Sequence, residues 1–261
     1  MFGVEGCCTD NRINLINQQF LFSMMDYSNL RREARYGMPA ADQIMFNRNY
    51  VLGYSYYFRQ AKWTLEIIDP DNTGLERSDN FRPDYRIPQV FRADLVDYVG
   101  SGYDRGHLVA SADQRETELQ NSETFLLSNM SPQDPQFNRK IWRELETEIR
   151  ELDLKPDILE TYVVSGPIFF FDQPVVCIGT SDPNDVSIPV PHAYFKSVLT
   201  ENNRGALHMW SFVLPNAGST AELGSFLVAT KLVEKLAGIK LWERLVGVEM
   251  EEEKTRVRPM W

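Results

Sequence analysis

Three stretches decide the fold: Gly102-Tyr-Asp-Arg-Gly-His107, Phe125-Leu-Leu-Ser-Asn129, and Phe137-Asn-Arg-Lys-Ile-Trp-Arg-Glu-Leu-Glu-Thr-Glu-Ile-Arg-Glu-Leu-Asp-Leu154. The third is the best helix in the chain, because Ile141, Trp142, Leu145, Ile149 and Leu152 recur at spacings of three and four. The second reads as a short strand, Phe125 to Leu127, that ends in the turn Ser128-Asn-Met-Ser-Pro132. Strand, strand and helix form a unit able to bring His107 opposite the first turn of the helix.

Outward from this unit the chain alternates between strands and a few helices. Tyr50 to Tyr57 and Trp63 to Ile68 are rich in aromatic and β-branched residues and read as a hairpin. Asp69 to Gly74 is a turn cluster, and Asp79 to Pro88 a polar loop. Thr161 to Ser165 and Val186 to Val190 read as buried strands, followed by Tyr194 to Leu199 and His208 to Leu214. Leu223 to Leu245 has a helical period interrupted at Gly238. The class is α+β, with a central, mainly antiparallel sheet flanked by helices. Ile13 to Arg35 has helical spacing with apolar residues on more than one face, so residues 1–35 are set apart as an N-terminal helical extension. Residues 36–248 form the main domain and 249–261 a charged C-terminal tail.

Composition excludes several classes. The 261 residues are 43% hydrophobic, enough for a substantial core, and no apolar run is long enough to span a membrane. Met1 to Asn14 has neither the basic patch nor the apolar stretch of a secretory signal, so a cytoplasmic address is expected. Cys7, Cys8 and Cys177 build no disulfide framework, and the 3 histidines have no zinc-ligand spacing to one another or to them. The net charge of -10 sits awkwardly with a polyanionic substrate, but a binding groove needs only a local patch. Between Arg31 and Arg115 the charges balance and almost every cation is arginine, the residue suited to bidentate phosphate contact. The acidic excess lies elsewhere, including Glu249 to Glu253, which reads as a solvated run.

The chemistry follows from two side chains. A neutral imidazole at His107 can take a proton from water at pH 7. Asn138, Trp142 and Glu146 are spaced by four and share one side of the helix. The Asn138 amide oxygen is a hard, neutral ligand for Mg²⁺, with Mn²⁺ equally suited, and these ions keep much of their water. Glu146, two turns on, is placed to accept hydrogen bonds from those waters. Trp142 reads as core, and Asp104 as a carboxylate that fixes its loop or Arg105.

The runs DRGH (104–107), TFLLSNMSPQ (124–133) and FNxxxWxxLE (137–146) resemble the DNA/RNA nonspecific endonuclease family of the ββα-metal (His-Me finger) group. Further similar segments are YVLGYSYYFRQAKWTLE (50–66), YVVSGPIF (162–169), SIPVPHAYFK (187–196) and FLVATKLVEKLAGIKLWERL (226–245). Together they cover residues 36 to 245. The resemblance implies a ββα-metal active-site motif and metal-dependent hydrolysis of DNA and/or RNA with 5′-phosphate products. It implies His107 as general base, Asn138 as sole protein metal ligand, and Glu146 as the carboxylate orienting the ion's waters. It also implies Asn129 as a supporting active-site residue and Arg105 as an arginine beside the base. An upstream arginine near the scissile phosphate falls in ERSDNFRPD (76–84), as Arg77 or Arg82, with Arg77 preferred. Two departures are Ala110, where many members have proline, and Arg139, where they have glutamine or a small polar residue; Arg139 adds a candidate phosphate contact. A catalytically silent binding module on the same fold is the competing reading, and the retained His, Asn and Glu argue against it. A nonspecific nuclease endangers its own cell, so control is expected: by an inhibitor or immunity protein, by a defence or toxin system, or by assembly as a homodimer or larger. Residues 1–35 are the candidate control surface.

Overall fold

The structure, a computed structural model, describes residues 31–69, 75–179 and 187–261. Its sheet is built from strands whose sequence carries β-branched and aromatic side chains on both faces, and both faces are covered. In chain order these are β1 (Gln43–Phe46), β2 (Tyr50–Ser55), β3 (Gln60–Ile67), β4 (Asp104–His107), β5 (Met130–Gln133), β6 (Ile158–Ile168), β7 (Cys177–Ile178), β8 (Ile188–Pro189), β9 (Ala193–Asn202), β10 (Leu207–Pro215) and β11 (Leu227–Val228). Among the described residues the main sheet runs β1-β2-β3-β6-β9-β10-β11, antiparallel throughout. β4 and β5 form a separate antiparallel pair, as do β7 and β8. The α+β class with a central antiparallel sheet and flanking helices is therefore what the chain adopts.

One face of the sheet packs the active-site helix. Leu52, Tyr54, Val163, Tyr194, Val198 and Phe212 meet Phe137, Ile141, Trp142, Leu145, Ile149 and Leu152 in one apolar cluster. The other face is closed by Trp63, Leu65, Tyr162, Phe195 and Leu199 against Val233, Leu241 and Trp242. Gly53 is required in β2 because a Cβ there would lie 2.4 Å from the Trp63 ring.

Several element boundaries differ from the sequence reading. The strand expected at Phe125 to Leu127 is displaced: Leu127–Asn129 is a 3₁₀ turn, and the strand is Met130–Gln133, spanning Pro132. Proline is tolerated because β5 pairs on one side only, with β4. The helical period over Leu223 to Leu245 yields a 3₁₀ turn at Leu223–Phe226, the short β11, and a helix limited to Thr230–Ala237. Gly238, at φ 62°, takes the left-handed conformation that ends that helix.

Residues 249–261 are not a loose tail. Val248–Thr255 is a helix whose Lys254 ammonium is buried against Glu234 at 3.1 Å. Glu253 accepts from Met209 N at 3.1 Å and pairs with Arg258 at 2.7 Å. Trp261 packs edge-on against Trp210 and Phe212 and donates from Nε1 to Glu148 O at 3.1 Å, on the active-site helix. The run docks through the buried, ion-paired Glu253 and Lys254 rather than through an apolar face, which its charge alone hides. Of the expected N-terminal extension, only the end is described: Arg32–Tyr36 is a 3₁₀ turn tied to β6 and β9 through Glu160 and Glu201. Of the helix predicted over Ile13 to Arg35, the part up to Leu30 lies outside the described residues, as do most of the Asp69–Gly74 turn and Val186.

Candidate active site

The site is assembled by the β4–β5 hairpin pair and the helix that follows. β4 pairs with β5 in the register Asp104↔Gln133, Arg105↔Pro132, Gly106↔Ser131 and His107↔Met130. Residue 106 must be glycine: a Cβ there would lie 2.1 Å from the buried Gln133 side chain that crosses over it. After β5, Asp134 starts the helix, its Oδ1 accepting from Gln136 N at 2.8 Å and Phe137 N at 3.1 Å, with Pro135 just inside. The helix opens with a wide π-type turn, Phe137–Trp142, and continues as an α-helix over Arg143–Asp153. Such turns cluster at functional sites, and this one carries Asn138.

His107, Asn138 and Glu146 line one cavity of about 420 Å³, together with Arg77, Arg105, Arg115, Arg139, Arg143 and Arg150. The main chain of His107 is braced from two sides. Trp142 Nε1 donates to His107 O at 3.1 Å, and the buried Lys196 ammonium donates to Leu108 O at 3.3 Å while lying over the Trp142 ring. Trp142 is thus core, as the sequence indicates. The imidazole meets Phe125 and Phe81 edge-on, with centroids 4.9 and 5.7 Å away. Its Nε2 is shielded and has no hydrogen-bond partner among the described residues. Burial pushes the His107 pKa down to about 3, and the Arg77 and Arg105 guanidinium groups push the same way. The ring is neutral at pH 7 and lines a cationic cavity.

Asn138 is oriented by Asp104. Asp104 Oδ2 accepts from Asn138 Nδ2 at 2.9 Å and from Arg139 Nε at 2.8 Å, and Oδ1 accepts from Arg139 Nη2 at 2.7 Å. Burial alone would raise the Asp104 pKa, but these donors outweigh it and hold the carboxyl below its ordinary value. Asp104 therefore fixes the helix start, a role not read from sequence. With its nitrogen engaged, Asn138 keeps Oδ1 as an acceptor. Glu146 has a buried Oε1 without a partner among the described residues, and burial pushes its pKa up to about 7. The Lys196 ammonium opposes that rise and Asp113 adds to it. No group of three or more His, Cys, Asp or Glu among the described residues could chelate a metal. The available donors are one amide oxygen and one carboxylate with an unsatisfied oxygen, a set that fits a hydrated hard cation.

Two expected site residues face elsewhere. Asn129 is fully buried, accepting from Val109 N at 3.0 Å and donating to Val109 O and Thr124 O, so it pins the turn after the base and does not reach the cavity. Arg82 donates to Ser122 O at 2.8 Å and Asn80 O at 3.2 Å, which turns its guanidinium away. The upstream arginine at the cavity is Arg77, over the Phe125 ring at 5.2 Å. Arg139 lines the cavity but is exposed and paired to Asp104. Arg115, Arg143 and Arg150 were not singled out from sequence. Arg150 follows Glu146 by four residues, so helical period alone would place it on the same face; it pairs with buried Asp113 at 2.7 Å.

Residues 31–246 match the DNA/RNA non-specific endonuclease family. The chain is 33% identical over 224 residues to mitochondrial endonuclease G of Caenorhabditis elegans, covering 79% of this chain and 70% of that protein. It is 33% identical over 216 residues to mitochondrial endonuclease G of Homo sapiens, covering 79% and 71%. To a nuclease of Syncephalastrum racemosum it is 36% identical over 221 residues, covering 77% and 67%. A chain of the EndoG/EndoGI complex, solved to show the mechanism of EndoG inhibition, superposes with a TM-score of 0.76 at 31% identity, covering 82% of this chain and 91% of that one. A match across most of the chain, in sequence and in fold, makes this protein a member of the DNA/RNA non-specific endonuclease family and a hydrolase that acts on nucleic acids.

Proposed function

We propose that the protein is a metal-dependent endonuclease that hydrolyses phosphodiester bonds of DNA and RNA without sequence preference, with His107 as general base and Asn138 as the protein ligand of one Mg²⁺ or Mn²⁺. The observation that carries this reading is a neutral, half-buried His107 imidazole on the same cavity as Asn138 and a ring of arginines. The His107 imidazole takes the proton of the attacking water, worth about 10²–10⁴-fold in rate. Arg77 and Arg105 flank the base and bind the non-bridging phosphate oxygens, whose charge grows toward the transition state. Water attacks opposite the 3′ oxygen, the P–O3′ bond breaks, the 3′ oxygen takes a proton from a second water and leaves as the hydroxyl, and the phosphate stays on the 5′ side. A divalent cation at Asn138 supplies Lewis-acid stabilisation of that phosphate. Glu146 holds the waters around it, and Asp104 keeps the Asn138 amide turned toward it.

The test is nicking of a supercoiled plasmid and digestion of an RNA, with Mg²⁺, with Mn²⁺ and with EDTA. Wild type cuts both and stops in EDTA. His107→Ala loses at least about 10²-fold in rate while its melting temperature holds, and Asn138→Ala loses rate and needs more metal. Undiminished cutting by His107→Ala removes that residue from the mechanism.

Control of the enzyme is part of the same reading. A similar chain has been solved with an inhibitor, which supports an inhibitor or immunity protein, or a companion defence system, acting on this one, alongside assembly as a homodimer. Deleting residues 1–30 tests whether the N-terminal extension carries that control, through assembly state and specific activity. No helix among the described residues is long and apolar enough to cross a membrane. Several relatives carry "mitochondrial" in their names, so the cytoplasmic address expected from the N-terminus is not carried forward.

A further inference from the structure

The arginine-lined cavity adjoins a second one, of about 460 Å³, and the two share Arg77, Arg105, Asn138 and Arg139. Their remaining walls differ in kind. Beyond the shared residues, the first cavity adds Arg115, Arg143 and Arg150 and, apart from His107, has no aromatic ring. The second adds three rings, Phe81, Tyr98 and Tyr103, two aliphatic side chains, Leu95 and Val99, and the Asp104 carboxylate, which is paired with Arg139, but no further cation. A nucleic-acid strand has the same two sides, a charged backbone and flat apolar bases. Guanidinium groups suit the first and aromatic walls the second.

Tyr98 makes the second cavity more than a dent. It is 7% exposed, and its hydroxyl is buried with no hydrogen-bond partner among the described residues. That hydroxyl is shielded from the slot as well, so what Tyr98 offers a ligand there is its ring. Val99, beside it on the wall, is 78% exposed, an apolar surface left to water. Arg105 lies over the Phe81 ring at 4.1 Å, so the cation that flanks His107 also borders this slot. A base held here therefore belongs to a nucleotide next to the phosphate under attack.

We propose that this slot is a nucleobase subsite: it takes the base of a nucleotide adjoining the scissile phosphate, drawn out of its stack, between Phe81, Tyr98, Tyr103 and Val99. The proposal rests on the nuclease reading above. Every base has a flat π face, so the slot demands an unstacked base without demanding a particular one. In a paired duplex that base is held by stacking and pairing, and extracting it costs free energy. Single strands, loops and frayed or nicked duplexes are then cut faster than intact duplex of the same sequence.

The experiment uses a single-stranded oligonucleotide with one cleavable phosphodiester among methylphosphonate links, and a series in which one abasic sugar replaces each nucleotide near that link in turn. Wild type should lose about 10-fold in kcat/KM when one immediate neighbour is abasic, the scale expected of a single stacked base, and under about 2-fold elsewhere. Tyr98→Leu and Tyr103→Ala, each checked by thermal unfolding, remove one aromatic wall apiece. In each, the penalty for the abasic neighbour should shrink to under about 3-fold, because intact substrate has already lost what the base contributes. A flat abasic profile, or a penalty that persists undiminished in both variants, overturns the subsite while leaving the nuclease reading standing. Absence of any cutting with Mg²⁺ or Mn²⁺ overturns both.

Discussion

His107 and Glu146 exchange the protonation behaviour that their side chains show in water. Sequence alone assigns a neutral imidazole at pH 7 from its ordinary pKa; in the structure the ring is neutral because burial, with Arg77 and Arg105, drives the pKa to about 3. The pH profile should reflect the difference. The kcat/KM of the wild type should show no limb at the ordinary imidazole value of about 6.5 that is lost in a variant at position 107 retaining residual activity. A clear limb belonging to His107 there would contradict its burial. Glu146 shifts the other way, to about 7. Its pKa is higher folded than unfolded, so the proton it holds stabilises the fold at low pH, and that contribution is lost as pH rises through 7. Glu146→Gln should therefore raise the melting temperature in EDTA at pH 8 by a few degrees over wild type, with the gain fading toward pH 4.5. Scanning calorimetry at the two pH values decides it. Motif spacing made His107, Asn138 and Glu146 legible, since their types and intervals carry the chemistry. That Asn129 and Arg82 point away from the cavity was not legible, because the direction a polar side chain takes is settled by which backbone groups need partners, here Val109, Thr124 and Ser122.

At the level of elements, the β4–β5 pair and the active-site helix form one lever. Asp104 on β4 grips both Asn138 and Arg139 on the first turn. Asp104→Asn should leave the helix in place but free the amide to rotate. The metal concentration for half-maximal cutting should rise by about 10–100-fold, the usual cost of losing a partner that orients a ligand, with a smaller change at saturating metal. Gly106→Ala should do broader damage, because its methyl group displaces Gln133 and with it the register that aligns His107; both stability and cutting should fall. The helix was legible from its period, including its apolar face. Its π-type opening was not, because that turn is a property of backbone hydrogen bonding that no residue type announces. The strand after Phe125 was placed too early for a related reason: Pro132 reads as an end, yet a strand paired on one side accommodates it.

Over the whole molecule, charge separates function from bulk. The chain carries a net -10, while arginines gather at the catalytic cavity. An acidic body with a small cationic cleft should hold nucleic acid weakly outside the site. Binding of a single strand by a catalytically inactive variant such as His107→Ala should show a log Kd–log salt slope of about 2–3, corresponding to three or four phosphates at about 0.7 each; fluorescence anisotropy across a salt series measures it. A much steeper slope would mean a longer basic track than the cavity provides. The antiparallel sheet was legible because its strands are marked by aromatic and β-branched runs. The docking of residues 248–261 was not, since Glu249 to Glu253 look solvated until Glu253 and Lys254 are seen buried.

That docking bears on synthesis. The helix carrying Asn138 and Glu146 is clamped on its far side by Trp261, which the ribosome delivers more than a hundred residues later. A polypeptide that stalls, or is truncated by a premature stop, emerges with its catalytic histidine and asparagine translated but without that clamp. Aborted products of translation should accordingly be poor cutters of the message they came from.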